Sequence, residues 1–211
     1  MIEDFRAQIM EQEMSNTNYV VVFSEESENY CIGMVDMVNS TMMAAELGGP
    51  KMSVYYQTFL NFMAKILNRF GGFVIKNIGD SLLYYFPESS KTNRKFGLMS
   101  CLECSLTMVE RRNTLCKALK KNNLPDVDYR VSADYGNVFL IKTNNPDSFD
   151  MIGTPVNMCT KINPLAEANS VVIGGDLYTI VKHLDDYVFS EIKGYSLGFK
   201  HSYPIYVLNR K

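Results

Sequence analysis

Two apolar runs of six residues, Phe73–Ile78 and Ser81–Phe86, are separated only by Gly79-Asp80. Strand, Gly-Asp turn, strand is a hairpin pattern, and it forces an antiparallel strand pair into whatever fold the chain adopts. A helical pattern precedes it over residues 51–70, where Val54, Phe59, Phe62, Met63, Ile66 and Leu67 recur at spacings of about three to four. Gly71-Gly72 ends that helix, because glycine takes the left-handed conformation cheaply. After the hairpin a long helix is expected over about 91–121, with Leu98, Leu102, Val109, Leu115 and Leu119 on its buried side.

The flanking segments extend this order. Residues 30–38 read as a strand that stops at Asn39-Ser40-Thr41, where Ser40 or Thr41 can cap a following helix. Residues 129–134 and 138–141 flank Tyr135-Gly136-Asn137 and are predicted to form a second hairpin, followed by a loop at 144–147. A helix is expected over 155–166, shortened or kinked by Pro164. A strand at 171–173, a helix at 176–183 and closing strands at 188–192 and 205–208 complete the chain. The heart of this order is βαββαβ. It implies an α+β fold of ferredoxin-like type, an extended antiparallel-rich sheet with helices on one face. Residues 1–28 read as an N-terminal helix and lead-in, with Ile2, Phe5, Ile9 and Met10 on one helical face. Residues 29–211 read as one domain.

A formal net charge of -2 carries no basic excess that would draw the chain to nucleic acid or an anionic membrane. No strand pattern interleaves Lys or Arg with aromatics as an RNA-recognition sheet does. The cluster Lys117, Lys120 and Lys121 complements the dipole at a helix end. No apolar run approaches the roughly 20 residues of a membrane span, and the acidic N-terminus is not a signal peptide. Five cysteines without a secretory segment read as reduced thiols in a cytoplasm. Cys101-x-x-Cys104 lies in a helical pattern with no second pair and no histidine nearby, so helix packing explains it better than zinc.

Two acids stand where metals are often held. Asp36 ends the first strand and Asp80 sits at the hairpin tip, so both expose a carboxylate from rigid backbone. Carboxylates from neighbouring strands can hold Mg²⁺ or Mn²⁺ with water and phosphate oxygens. Taken singly, each is as well explained by a helix cap or a turn residue.

Gly33–Thr41, Lys76–Asp80, Arg130–Val138 and Asp150–Lys161, in that order, give the chain a resemblance to the class III adenylyl and guanylyl cyclase catalytic domain. Gly33-Met-Val-Asp36-Met-Val-Asn-Ser-Thr41 resembles the family's first metal strand. Lys76-Asn-Ile-Gly79-Asp80 is similar to its Lys-x-x-Gly-Asp hairpin. Arg130-Val-Ser-Ala-Asp-Tyr-Gly136-Asn-Val138 is similar to its Arg-x-Gly-x-x-x-Gly-x-Val segment. Asp150-Met-Ile-Gly153-Thr-Pro-Val156-Asn157-Met-Cys-Thr-Lys161 is similar to its segment ending Val-Asn-x-x-x-Arg.

The resemblance implies an adenylate cyclase that converts ATP to cyclic AMP and pyrophosphate. Two divalent ions, Mg²⁺ or Mn²⁺, would be held by Asp36, Asp80 and the backbone carbonyl of Met37. Lys76 and Asp150 would read the base: a lysine donates to adenine N1 and an aspartate accepts from the 6-amino group, whereas guanine inverts that edge. Asn157 would orient the ribose, Lys161 would stabilise charge on the transferring phosphate, and Thr41 would offer phosphate contacts. Lys193 or Lys200 would touch the triphosphate, with Lys193-Gly194 matching a family Lys-Gly.

The family builds each site from two subunits. One chain carrying both residue sets therefore implies a homodimer with two equivalent sites, with room for an upstream regulatory partner. Three positions depart from the pattern. Asn39-Ser40 replaces Gly-Phe, Ser132 replaces a glycine, and Lys161 replaces an arginine, which keeps the charge but loses the bidentate fork. Lys161 and the Asn39-Ser40 change support a competing reading, a catalytically silent nucleotide-binding cyclase homology domain that acts as a dimerisation or signalling module. A diguanylate cyclase is disfavoured because Gly174-Gly175-Asp176 lacks the following Glu-Phe.

Overall fold

The structure is a computed structural model and describes residues 21–92, 94–143, 149–198 and 203–211. The helix expected at 1–14, the loop at 144–147, Lys200 and His201 lie outside the described residues. In chain order the elements are β1 (Val21–Met37), α1 (Ser40–Leu47), α2 (Gly49–Arg69), β2 (Phe73–Ile78), β3 (Ser81–Phe86), α3 (Lys95–Glu110) and α4 (Arg112–Lys120). They continue as β4 (Tyr129–Thr143), β5 (Phe149–Gly153), α5 (Thr154–Ile162), β6 (Val171–Gly174), α6 (Gly175–Val181), β7 (Tyr187–Glu191) and β8 (Ile205–Arg210).

Among the described residues eight strands form one sheet in the order β2-β3-β1-β4-β6-β8-β7, with β5 also pairing β4. The β4–β6 pair is parallel and the other pairs are antiparallel. The architecture is therefore the expected α+β type with an antiparallel-rich sheet. The β2–β3 hairpin closes with Ile78 opposite Ser81, leaving Gly79-Asp80 as a two-residue turn in which Gly79 has φ 62. Gly71, at φ 71, ends α2 as expected.

One face of the sheet carries α2, α3, α4 and α6 over the main core, where Phe59, Leu67, Leu102, Leu115 and Leu177 are 0% exposed. The five cysteines are free and buried, and Cys101 and Cys104 pack into this core from α3. The expectation that all helices share that face is corrected by α5. Its Cys159 packs with Ile32, Met34, Leu83 and Val138 on the opposite face, because strand residues alternate sides.

Three further expectations are corrected. No hairpin turn occurs at Tyr135-Gly136-Asn137, since β4 runs unbroken through it, with Tyr30 opposite Gly136 and Cys31 opposite Tyr135. Gly136 serves a close approach instead, because a Cβ there would lie 3.2 Å from the Pro155 ring. The helix expected over about 91–121 is two helices that meet at Arg111. The first strand also begins earlier than its apolar pattern, since Val21–Glu28 already pair with β4 across a register shift between Phe23 and Ser27. The shortening expected from Pro164 takes the form of a 3-10 turn, Asn163–Leu165.

Candidate active site

The acids of the first strand and the hairpin meet at one end of the sheet. Asp36 is the penultimate residue of β1, with Arg130 of β4 opposite it on one side. On the other side Val35 pairs with Leu82, which brings Ser81 beside Asp36, and the Ser81 hydroxyl donates to Asp36 Oδ1. Burial raises the Asp36 carboxyl above its ordinary range. The neighbouring Asp80 charge raises it further, while the Ser81 hydrogen bond and the Arg130 charge oppose both.

Two carboxylates close enough to feel each other at adjacent strand ends form an oxygen donor set that suits a hard divalent cation. Among the described residues no three His, Cys, Asp or Glu side chains converge. Asp36 and Asp80 are the two carboxylates this end of the sheet offers, a donor set to which a cation would have to add backbone, water or phosphate oxygens. Met37 follows Asp36 as the last residue of β1, opposite Tyr129.

Arg130 had no role assigned from sequence beyond its place in a motif. Its Nε is buried and has no hydrogen-bond partner among the described residues. This unused donor lies one strand away from Asp36, and the Arg130 charge lowers that carboxyl. The signal that finds it is register: a strand arginine directly opposite the strand-end aspartate.

A second cluster joins the two arms of the sheet. Lys76 on β2 and Asp150 on β5 form an ion pair, although β3, β1 and β4 stand between their strands in the sheet order. Strong curling brings β2 and β5 into contact. Aromatic rings bind the same seam. Tyr85 lies edge-on to Phe149 at 5.8 Å and to Tyr30 at 5.5 Å, and Phe73 sits 6.0 Å away. Asp150 Oδ1 also accepts the Met151 N–H at 2.8 Å, which fixes the carboxylate plane.

The remaining predicted residues are exposed. Neither Ser40 nor Thr41 caps α1. Asn39 takes the N-cap position in the left-handed region, at φ 58, and no side chain caps the helix. Ser40 and Thr41 are its first two residues. Asn157 and Lys161 stand one turn apart on α5. The Ser132 hydroxyl donates to the Cys159 carbonyl at 2.9 Å, so the residue at the family's glycine position ties β4 to α5. Lys193 follows β7 in a segment whose Ile192, Tyr195 and Leu197 pack with Met158 and Ile162 of α5. The one-chain structure thus gathers Asp36 with Asp80, and Lys76 with Asp150, as two separate clusters. A concavity of about 440 Å³ lined by Phe62, Arg69 and Arg111 lies on the helical face and touches neither.

With this geometry in view, comparison with known proteins is informative. Residues 22–210 match the family described as the adenylate and guanylate cyclase catalytic domain, and the chain belongs to that family. Its fold is that of class III cyclases. The adenylyl cyclase CyaB from P. aeruginosa superposes with a TM-score of 0.77 at 18% identity, over 88% of this chain and 96% of that one. The guanylate cyclase domain of RhGC from Catenaria anguillulae, solved in complex with GTP, gives 0.75 at 16% identity, over 88% and 99%. A curated relative, a cytidylate cyclase from Staphylococcus aureus, is 23% identical over 167 residues, 77% of this chain. The chain spans 39% of that relative's length. Among the described residues no helix is long and apolar enough to cross a membrane.

Proposed function

We propose that this domain acts as a homodimer and converts ATP to 3′,5′-cyclic AMP and pyrophosphate. The observation that carries the reading is the separation of the Lys76–Asp150 pair from the Asp36–Asp80 pair on one chain. Lys76 and Asp80 share one hairpin yet face different partners, as expected when each chain gives one half of two sites. Exposed Phe73 and Phe149, 55% and 36% accessible, flank the base-reading pair and fit cover by a second copy.

In this reading Asp36 and Asp80 hold the cations, with the Met37 carbonyl. Bound divalent ions supply charge neutralisation along the triphosphate and acidify the ribose 3′-hydroxyl. The 3′-oxygen forms a bond to the α-phosphorus, its proton is lost to solvent, and the bond to the bridging oxygen of the β-phosphate breaks. Arg130, Thr41 with the N–H groups that open α1, and Lys193 receive the triphosphate charge. Asn157 orients the ribose and Lys161 neutralises charge on the transferring phosphate. Little covalent work falls to the protein, so positioning and electrostatics dominate. Five reduced, buried thiols fit a cytoplasmic setting, in which an upstream partner would set activity.

A second reading keeps the chemistry and changes the base. Cytosine, like adenine, presents an amino donor beside a ring-nitrogen acceptor, so the Lys76–Asp150 pair accepts both and rejects guanine and uracil. The similarity to a cytidylate cyclase favours CTP as that second substrate.

The test is product analysis with ATP, CTP, GTP and UTP, each with Mg²⁺ and Mn²⁺, beside Asp80→Ala. Cyclic AMP from wild type, lost in the variant, supports the first reading, and cyclic CMP supports the second. No product from a confirmed dimer sinks both and moves the weight to a catalytically silent domain.

A further inference from the structure

We infer that Ser81 is a positioning residue that holds the Asp36 carboxylate in the orientation needed to bind a divalent cation. The inference rests on the reading of Asp36 and Asp80 as cation ligands. Ser81 is the first residue of β3, directly after Asp80, and is 4% exposed. Its hydroxyl donates to Asp36 Oδ1. Buried and already committed to that oxygen, it acts through the aspartate rather than on a ligand.

The position has a clear physical consequence. A carboxylate on a single Cβ–Cγ bond rotates through a broad, roughly two-fold torsional well. One hydrogen bond to Oδ1 restrains that rotation and leaves Oδ2 uncommitted to Ser81. The donor belongs to the residue adjoining Asp80, so the same bond sets the spacing between the two carboxylates across the β1–β3 junction. Such outer partners typically change metal affinity about 10–100-fold when removed. Arg130, on the opposite side of Asp36, cannot substitute for the hydroxyl, because its approach is from β4.

The experiment measures Mn²⁺ binding alone, by electron paramagnetic resonance on the full chain, with no nucleotide and no turnover. Wild type is compared with Asp36→Asn, Asp80→Asn, Ser81→Ala, Ser81→Cys and Ser81→Thr, each checked for its melting temperature. The expected result is binding about 10–100-fold weaker in Ser81→Ala and Ser81→Cys, with Ser81→Thr near wild type because it restores the hydroxyl. Wild-type affinity in folded Ser81→Ala and Ser81→Cys, while both aspartate variants lose Mn²⁺, overturns the role of Ser81 and leaves the cation reading standing. Equal Mn²⁺ binding by wild type and both aspartate variants overturns the cation reading and this inference with it.

Discussion

Lys76 and Asp150 lie 74 positions apart in sequence, on strands at opposite arms of a curled sheet, and form an ion pair across the seam. In the proposed reading the pair would offer an adenine or cytosine edge a donor and an acceptor side by side. Exchanging the charges with Lys76→Glu and Asp150→Lys keeps the pair and reverses its polarity. The expected outcome is loss of turnover on ATP and CTP by about 100-fold or more, with gain of activity on GTP or UTP. Competition assays with mixed nucleotides, read by mass of the cyclic product, check it. An unchanged preference would exclude the pair from base reading.

The separation of the two clusters predicts complementation. Asp80→Ala and Lys76→Ala should each be inactive alone. Mixed in equal amounts and allowed to exchange subunits, they should regain about one quarter of wild-type activity, because half the dimers carry one intact site. Activity that stays at zero in a mixture shown to contain heterodimers would argue that both clusters serve one site.

Asp134 gives a pH signature. It is 0% exposed, its Oδ2 accepts the Tyr203 hydroxyl at 2.7 Å, and its Oδ1 accepts the Leu177 N–H at 3.2 Å. Burial pushes its carboxyl up to about 6 from 3.8. The native state therefore holds a proton that the unfolded chain has lost between those values. That stabilisation is complete below pH about 4 and is lost as pH rises through about 6. Relative to Asp134→Asn, wild type should lose on the order of 3 kcal/mol from pH 4 to pH 7, measured by urea denaturation. A difference that stays flat across this range would mean that Asp134 titrates as an ordinary carboxylate.

Gly33 is held by its neighbour's ring. A Cβ at this position would sit 2.2 Å from Tyr84 Cε2, and Tyr84 is fully buried. Gly33→Ala should destabilise the fold by about 1–3 kcal/mol. Adding Tyr84→Leu should recover part of that loss, since it removes the clashing ring. Chemical denaturation of the two variants and the double variant measures the coupling. A Gly33→Ala protein as stable as wild type would show that the ring moves aside freely.

The elements built from local pattern were legible in the sequence. The β2–β3 turn, the ends of α2 and the buried faces of the helices follow from glycine positions and from apolar spacing, which act over a few residues. Asp36 at a strand end and Asp80 in the turn could be located the same way. What spacing could not decide was the path of β4. Gly136 looks like a turn residue locally, and only its strand pairing with Tyr30 and the Pro155 ring above it show why glycine stands there. Nor could spacing reveal Val21–Glu28 as strand, since its polar half, Ser24–Glu28, breaks the apolar pattern and the segment is held by pairing with β4. The placement of Arg130 beside Asp36 and the closure of Lys76 onto Asp150 were decided by tertiary structure. Register and sheet curl arise from packing among distant strands, and no local period in the chain encodes them.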